Sequence, residues 1–202
     1  MRSLHAAAMA LGASALLVAC ASSPPPRTLL ALPSTVNLAT AGAQTQSPGT
    51  PLLVVRRLDI PEHLQSRRVR FRADASTLGE WPDAVWAERI EVAMTREFVA
   101  ALRPRLPGYL LCEASCAERL PALALAVELQ PLDYLRATRR LQAHARVTLA
   151  TTGADARPLG TTELNFDLSA SADTPQAQAE AISELLRQLA TAVAPLLPSA
   201  AR

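Results

Sequence analysis

The chain reads as an α+β domain, expected to form a mainly antiparallel sheet of about five strands with two amphipathic helices packed on one face. Three observations carry that reading: two strands that alternate cleanly between apolar and polar residues, two stretches of helical apolar spacing, and the order strand, strand, helix, three strands, helix.

The first strand lies within LLVVRRLDIP, residues 52–61, a β-branched and aliphatic run that Pro61 stops. VRFRA, 69–73, follows, with Val69 and Phe71 set against Arg70 and Arg72. In EWPDAVWAERIEVAMTREFVAALRPRLPG, Asp83 is placed to cap a helix running to about Arg103. Trp86, Ile90, Met94, Phe98 and Leu102 recur every four residues along its core side, and Pro104, Pro107 and Gly108 end it. Trp86 is therefore expected in the core and Trp81 as an exposed contact.

Three strands come next. LALAVELQPLDYL, 123–135, is apolar in its first half. In LQAHARVTLA, 141–150, Leu141, Ala143, Ala145, Val147 and Leu149 share one face, while Gln142, His144, Arg146 and Thr148 share the other. TTELNFDLSA, 161–170, repeats the pattern with Thr162, Leu164, Phe166 and Leu168 inward, after a hairpin-like turn over 151–160. The last helix opens at Thr174-Pro175, proline suiting the first helical position, and carries a stripe of Ile182, Leu185, Leu186, Leu189, Val193 and Leu196.

Ahead of the domain the chain is built differently. Residues 1–19 combine Arg2 with an uncharged apolar stretch from Ala6 to Val18, too short for a membrane span and suited to an export signal. Leu17-Val18-Ala19-Cys20 matches the bacterial lipobox, which implies cleavage before Cys20, a diacylglycerol on its sulfur and a lipid on the new N-terminus. Each buried methylene of such chains contributes about 0.8 kcal/mol, so more than one chain is a lasting anchor. Ala21 and Ser22 lack the aspartate that favours inner-membrane retention, so the motif implies the outer membrane, periplasmic face. Residues 20–50 are rich in Pro, Ser, Thr and Ala and read as a tether, within which Thr28–Leu32 is a candidate extra strand; the domain proper is 51–198.

Composition excludes several functions. All 20 basic residues are arginine, balanced by 18 acidic ones, so the net charge of +2 points to no nucleic acid. Aromatic content of 3% supplies no stacking platform for sugars or bases. Cys112 and Cys116, in an exported chain, are expected to form a local disulfide; with no histidine nearby they make no zinc set. His63 and His144 have no recognisable nucleophile or carboxylate partner, and the sequence holds no phosphate loop, G-x-S-x-G, H-E-x-x-H or C-x-x-C. We therefore expect no enzyme, no cofactor and no metal.

One charged feature stands out: Arg56, Arg57, Arg67, Arg68, Arg70 and Arg72 fall within 17 residues. Arg68, Arg70 and Arg72 share a strand face and would repel unless something anionic lay opposite. Two readings stand side by side: a solvated face balanced by Asp59, Glu62 or Asp74, and a contact surface for lipid phosphate or an acidic protein.

LDIPEHLQSRRVRFR and VWAERIEVAMTREFVAAL, behind a lipobox and ahead of three strands and a terminal helix, resemble the ABC-type transport auxiliary lipoproteins, the PqiC group. The matching positions are Ile60, Pro61 and Leu64, then Val69, Phe71 and Arg72, then Trp86, Ala87 and Glu88. The chain departs from that pattern at Thr28-Leu29-Leu30, where aromatic residues are usual, and in residues 33–50, which look inserted. The resemblance implies an accessory subunit of a system that moves lipids between the two membranes. It would dock an MCE-domain protein at the outer membrane, with an exposed sheet edge able to support a homo-oligomer. The alternative reading is a lipoprotein module that itself binds a lipid or other apolar ligand.

Overall fold

A computed structural model describes residues 27–34, 49–113, 116 and 119–198. The export signal and Cys20 lie outside the described residues. The α+β class holds, but the sheet has eight strands and is mixed, where about five antiparallel strands were expected.

Its backbone is β6 (Leu123–Leu135), β7 (Arg140–Thr151) and β8 (Pro158–Ser169), a long antiparallel meander. The free edge of β6 is too long for any one partner and is shared. β2 (Leu52–Val55) runs parallel to its start, Asp59 bridges to Glu128 in its middle, and β3 (Arg68–Arg72) pairs Arg72 with Leu135 at its end. The sheet then continues along two branches. β2 adds β5 (Leu110–Glu113) in parallel; β3 adds β4 (Leu78–Trp86) antiparallel, and β4 adds β1 (Thr28–Leu30) in parallel. The parallel pairings come from segments separated by long crossovers, and residue alternation alone does not reveal them.

The candidate strand at Thr28–Leu32 is thus real over Thr28–Leu30, with Leu30 and Leu32 buried. The expected helix start at Asp83 is not observed. Residues 78–86 are β4, and α1 begins at Ile90 and ends at Leu102. Ala84 and Trp86 are both buried, the two-residue alternation of a strand, whereas a four-residue recurrence from Trp86 to Ile90 fits strand and helix alike. Trp86 is a core residue as expected, but from a strand.

Where the sheet divides, α1 replaces a strand. Arg56 and Asp59 donate their amides to Leu125 and Val127 of β6, at 2.9 and 3.0 Å. The intervening amide of Leu58 faces away and donates instead to the Thr95 hydroxyl at 3.0 Å, which donates in turn to the Glu91 carbonyl at 2.6 Å. α2 (Pro175–Val193) opens as expected, with the Thr174 hydroxyl accepting from the Ala177 amide at 3.2 Å. The two helices pack on each other, and Met94, Phe98, Leu102, Leu185, Leu189 and Val193 are fully buried in one core with the sheet.

Candidate functional site

The outer face of β6–β8 carries the polar residues that the alternation assigned to it, and they pair across strands. Arg140 donates to Asp167 at 2.7 Å, His144 Nδ1 lies 2.9 Å from the Asn165 amide oxygen, and Thr148 meets Thr161 at 3.3 Å. Arg146 bridges Glu128 and Glu163 at 3.2 and 3.4 Å. This face is a self-neutralised ladder, worth little individually in solvent. His144 sits in it beside Glu163 at 3.9 Å, with no nucleophile in reach of its ring among these contacts.

The arginines of β3 are also committed within the domain. Arg68 pairs with Glu80, Arg70 donates to the His63 carbonyl, and Arg72 pairs with Asp133 at 2.9 Å. None of these partners is among the acids that the sequence suggested, because all three come from outside the local segment or from the backbone. Of the three, Arg68 is the most exposed. His63 lies beside the same cluster. Burial holds its imidazole below the ordinary value, with Asp133 opposing and Arg72 and Arg70 adding to the effect.

Trp81 is not an exposed contact. Arg68 pairs with Val85 whereas Arg70 pairs with Glu80, so β4 bulges over 81–84 and turns Trp81 back onto the domain. Its ring meets Phe71 edge-on with centroids 5.2 Å apart, and its Nε1 donates to Gln178 of α2 at 2.8 Å. Gln178, itself buried, donates to the Arg70 carbonyl at 2.7 Å. The Arg136 guanidinium covers both rings, 4.2 Å from Trp81 and 4.8 Å from Phe71, while forming a two-pronged pair with Asp173. Gly79 lies opposite Phe71 in the ladder, where an added Cβ would stand 2.5 Å from the ring. These residues lock α2 to β3 and β4; sequence spacing gave no sign of them because they are scattered from 70 to 178.

Cys112 and Cys116 stand 5.7 Å apart at Cα with their sulfurs paired as a disulfide, at the end of β5. Among the described residues no group of His, Cys, Asp and Glu could hold a metal ion, and no helix is long and apolar enough to cross a membrane.

What the domain leaves open is sheet edge. Among the described residues the outer strands are β1, β5 and β8, of three, four and twelve residues. β8 therefore presents by far the longest row of backbone groups able to accept a further strand.

No curated protein matches the sequence. Among solved structures the domain is similar to an uncharacterized protein, at 14% identity and a TM-score of 0.67, covering 86% of this chain and 99% of that one. It is also similar to XCC0632 from Xanthomonas campestris, of the DUF330 family, at 16% identity and a TM-score of 0.58, covering 83% of this chain and 90% of that one. At these identities the likeness is one of fold. A sequence family described as "ABC-type transport auxiliary lipoprotein component" matches residues 35–194, nearly the whole domain. With the fold and that match in agreement, the chain belongs to the ABC-type transport auxiliary lipoprotein family.

Proposed function

We propose that this protein is the outer-membrane docking subunit of an MCE-type ABC transport system that moves lipids between the inner and outer membranes. The observation that carries the reading is the family match over residues 35–194, which makes the chain an auxiliary component of ABC-type transport. The lipobox ending at Cys20 supports an anchor, and Ala21-Ser22 supports outer-membrane sorting. The acyl chains on Cys20 would hold the domain at the periplasmic face, and the tether would set its reach.

In this role the protein performs no chemistry. The charged face and the β3 arginines are satisfied internally, so the surface offered to a partner is backbone: the twelve-residue edge of β8. Pairing at that edge gives register and affinity through main-chain hydrogen bonds. The same edge could join identical copies, giving a homo-oligomer. Detergent extraction of the natively expressed, affinity-tagged protein tests the assignment. Co-purification of an MCE-domain protein is expected, and reproducible recovery of the lipoprotein alone from cells expressing that partner would contradict it.

A further inference from the structure

The inward row of β8 tapers. From the C-terminal end it runs Leu168, Phe166, Leu164, then Thr162 and Gly160, opposite Leu141, Ala143, Ala145, Val147 and Leu149 of β7. The large members fill the space beneath α2, while the small ones vacate it just where α2 ends at Val193 and the chain turns through a 3₁₀ segment, Ala194–Leu196. The result is a cavity of about 350 Å³, open to solvent. Leu125, Val147 and Leu149 form its floor, and Leu159 with Leu196 and Leu197 forms its walls.

The chemistry of the lining is narrow. Among the described residues no aromatic ring and no charged side chain contributes to it, and Thr162 supplies the one side-chain hydroxyl. Such a surface offers nothing to a planar or polar ligand and suits a saturated hydrocarbon, and its volume lies within the range of small-molecule sites. Leu159 and Leu196 are 45% and 40% exposed, so apolar surface faces water at the opening. A Cβ added at Gly160 would meet nothing within 4 Å, which shows the space that the glycine leaves free.

One charge lies close by along the chain. Arg157, two residues before Leu159, is exposed and forms no ion pair with the described residues, unlike Arg68, Arg72, Arg140 and Arg146. An apolar slot with an exposed arginine two residues along the chain from its wall complements an amphiphile with an anionic head group.

We propose that this cavity holds one aliphatic chain of an anionic amphiphile, with Arg157 meeting the head group. The property belongs to the domain itself and does not depend on a transport partner. The shared chemistry fits a free fatty acid or an anionic phospholipid.

The test uses the full chain carrying Cys20→Ser, so that no attached acyl group competes for the slot. Titration with dansylated undecanoic acid should give saturable fluorescence at one equivalent. Displacement by oleate alone would identify a fatty-acid site, and displacement by lysophosphatidylglycerol a phospholipid site. Gly160→Phe, which fills the slot at a position without backbone strain, should weaken binding by about tenfold or more, as expected for losing contact with about two methylenes. Leu159→Glu, at an exposed position, should do the same if the first variant fails to fold. Arg157→Glu should weaken binding of the acid but not of its methyl ester. Absence of saturable binding, or wild-type binding by both folded slot variants, would overturn the site; equal effects on acid and ester would overturn the role of Arg157.

Discussion

Thr95 offers the sharpest test of how the divided sheet is held together. Its hydroxyl accepts the Leu58 amide at 3.0 Å, in surroundings where Leu58 and Thr95 are 2% and 4% exposed. Thr95→Val keeps the shape and removes the acceptor, so no cavity opens and one buried N–H loses its partner. That loss costs about 1–3 kcal/mol, since water cannot reach the amide to replace the bond. The hydroxyl's other bond, to the Glu91 carbonyl, adds little, because that carbonyl lies in the first turn of a helix whose ladder can still engage it. For a domain of this size a loss of about 2 kcal/mol lowers the melting temperature by about 4–8 °C. Thr95→Ser is the control: it keeps the acceptor and gives up one methyl, about 0.8 kcal/mol. Hydrogen exchange at Leu58 separates the two causes. Protection should fall in the valine variant beyond the global loss and persist in the serine variant. Unchanged stability together with a still-protected Leu58 amide in Thr95→Val would refute the idea that α1 completes the sheet at this point.

Three further outcomes follow from particular contacts. Gly79→Ala drives a Cβ to within 2.6 Å of two Phe71 ring atoms, and that ring is confined by Trp81 and Arg136; thermal unfolding should show a loss of about 1–3 kcal/mol, and a neutral result would mean the ring is free to move. His63 has a folded pKa below its unfolded one, so its contribution is present above about pH 6.5 and is lost as pH falls through the folded value; urea unfolding should show stability dropping below pH 6.5, less steeply in His63→Gln, and identical slopes would contradict it. The bond between Cys112 and Cys116 closes a very short loop, so Cys112→Ser with Cys116→Ser should cost no more than about 2 kcal/mol, measured by denaturant titration; alkylation of both thiols in the untreated protein from cells would show that the bond does not form there.

The strands and helices of the second half were legible because each buries one face and exposes the other. The β7 residues assigned inward, Leu141 to Leu149, are all buried, and Thr174-Pro175 opens α2 as its capping chemistry requires. The first half misled for an equally physical reason. Trp86 of β4 sits four residues before Ile90 of α1, so a strand and a helix with different periodicities merged into one apparent stripe. The parallel pairs of β1, β2 and β5 left no local signal, since their partners lie far along the chain and the strands are only three or four residues long. The expectation at Cys20 rests on linear sequence alone, since the residue lies outside the described ones. Of the tapering row of β8, the sequence pattern placed Thr162 inward but left Gly160 in the turn, and only the placement of Leu196 and Leu197 beside them makes a cavity. The internal partners of Arg68, Arg70 and Arg72 required the fold, because Glu80, Asp133 and the His63 carbonyl reach them through sheet pairing and a turn.

The account stands most directly on whether the anchored protein holds an MCE-domain partner at the outer membrane. In-cell cross-linking followed by pull-down from outer-membrane fractions, comparing the intact protein with Cys20→Ala, measures this in one experiment. Recovery of an MCE-domain protein with the lipidated form, and its loss from the outer-membrane fraction with Cys20→Ala, is the expected result. A lipidated, outer-membrane protein that cross-links to no MCE-domain partner would contradict the docking role and leave the anchored domain to act through the ligand slot alone.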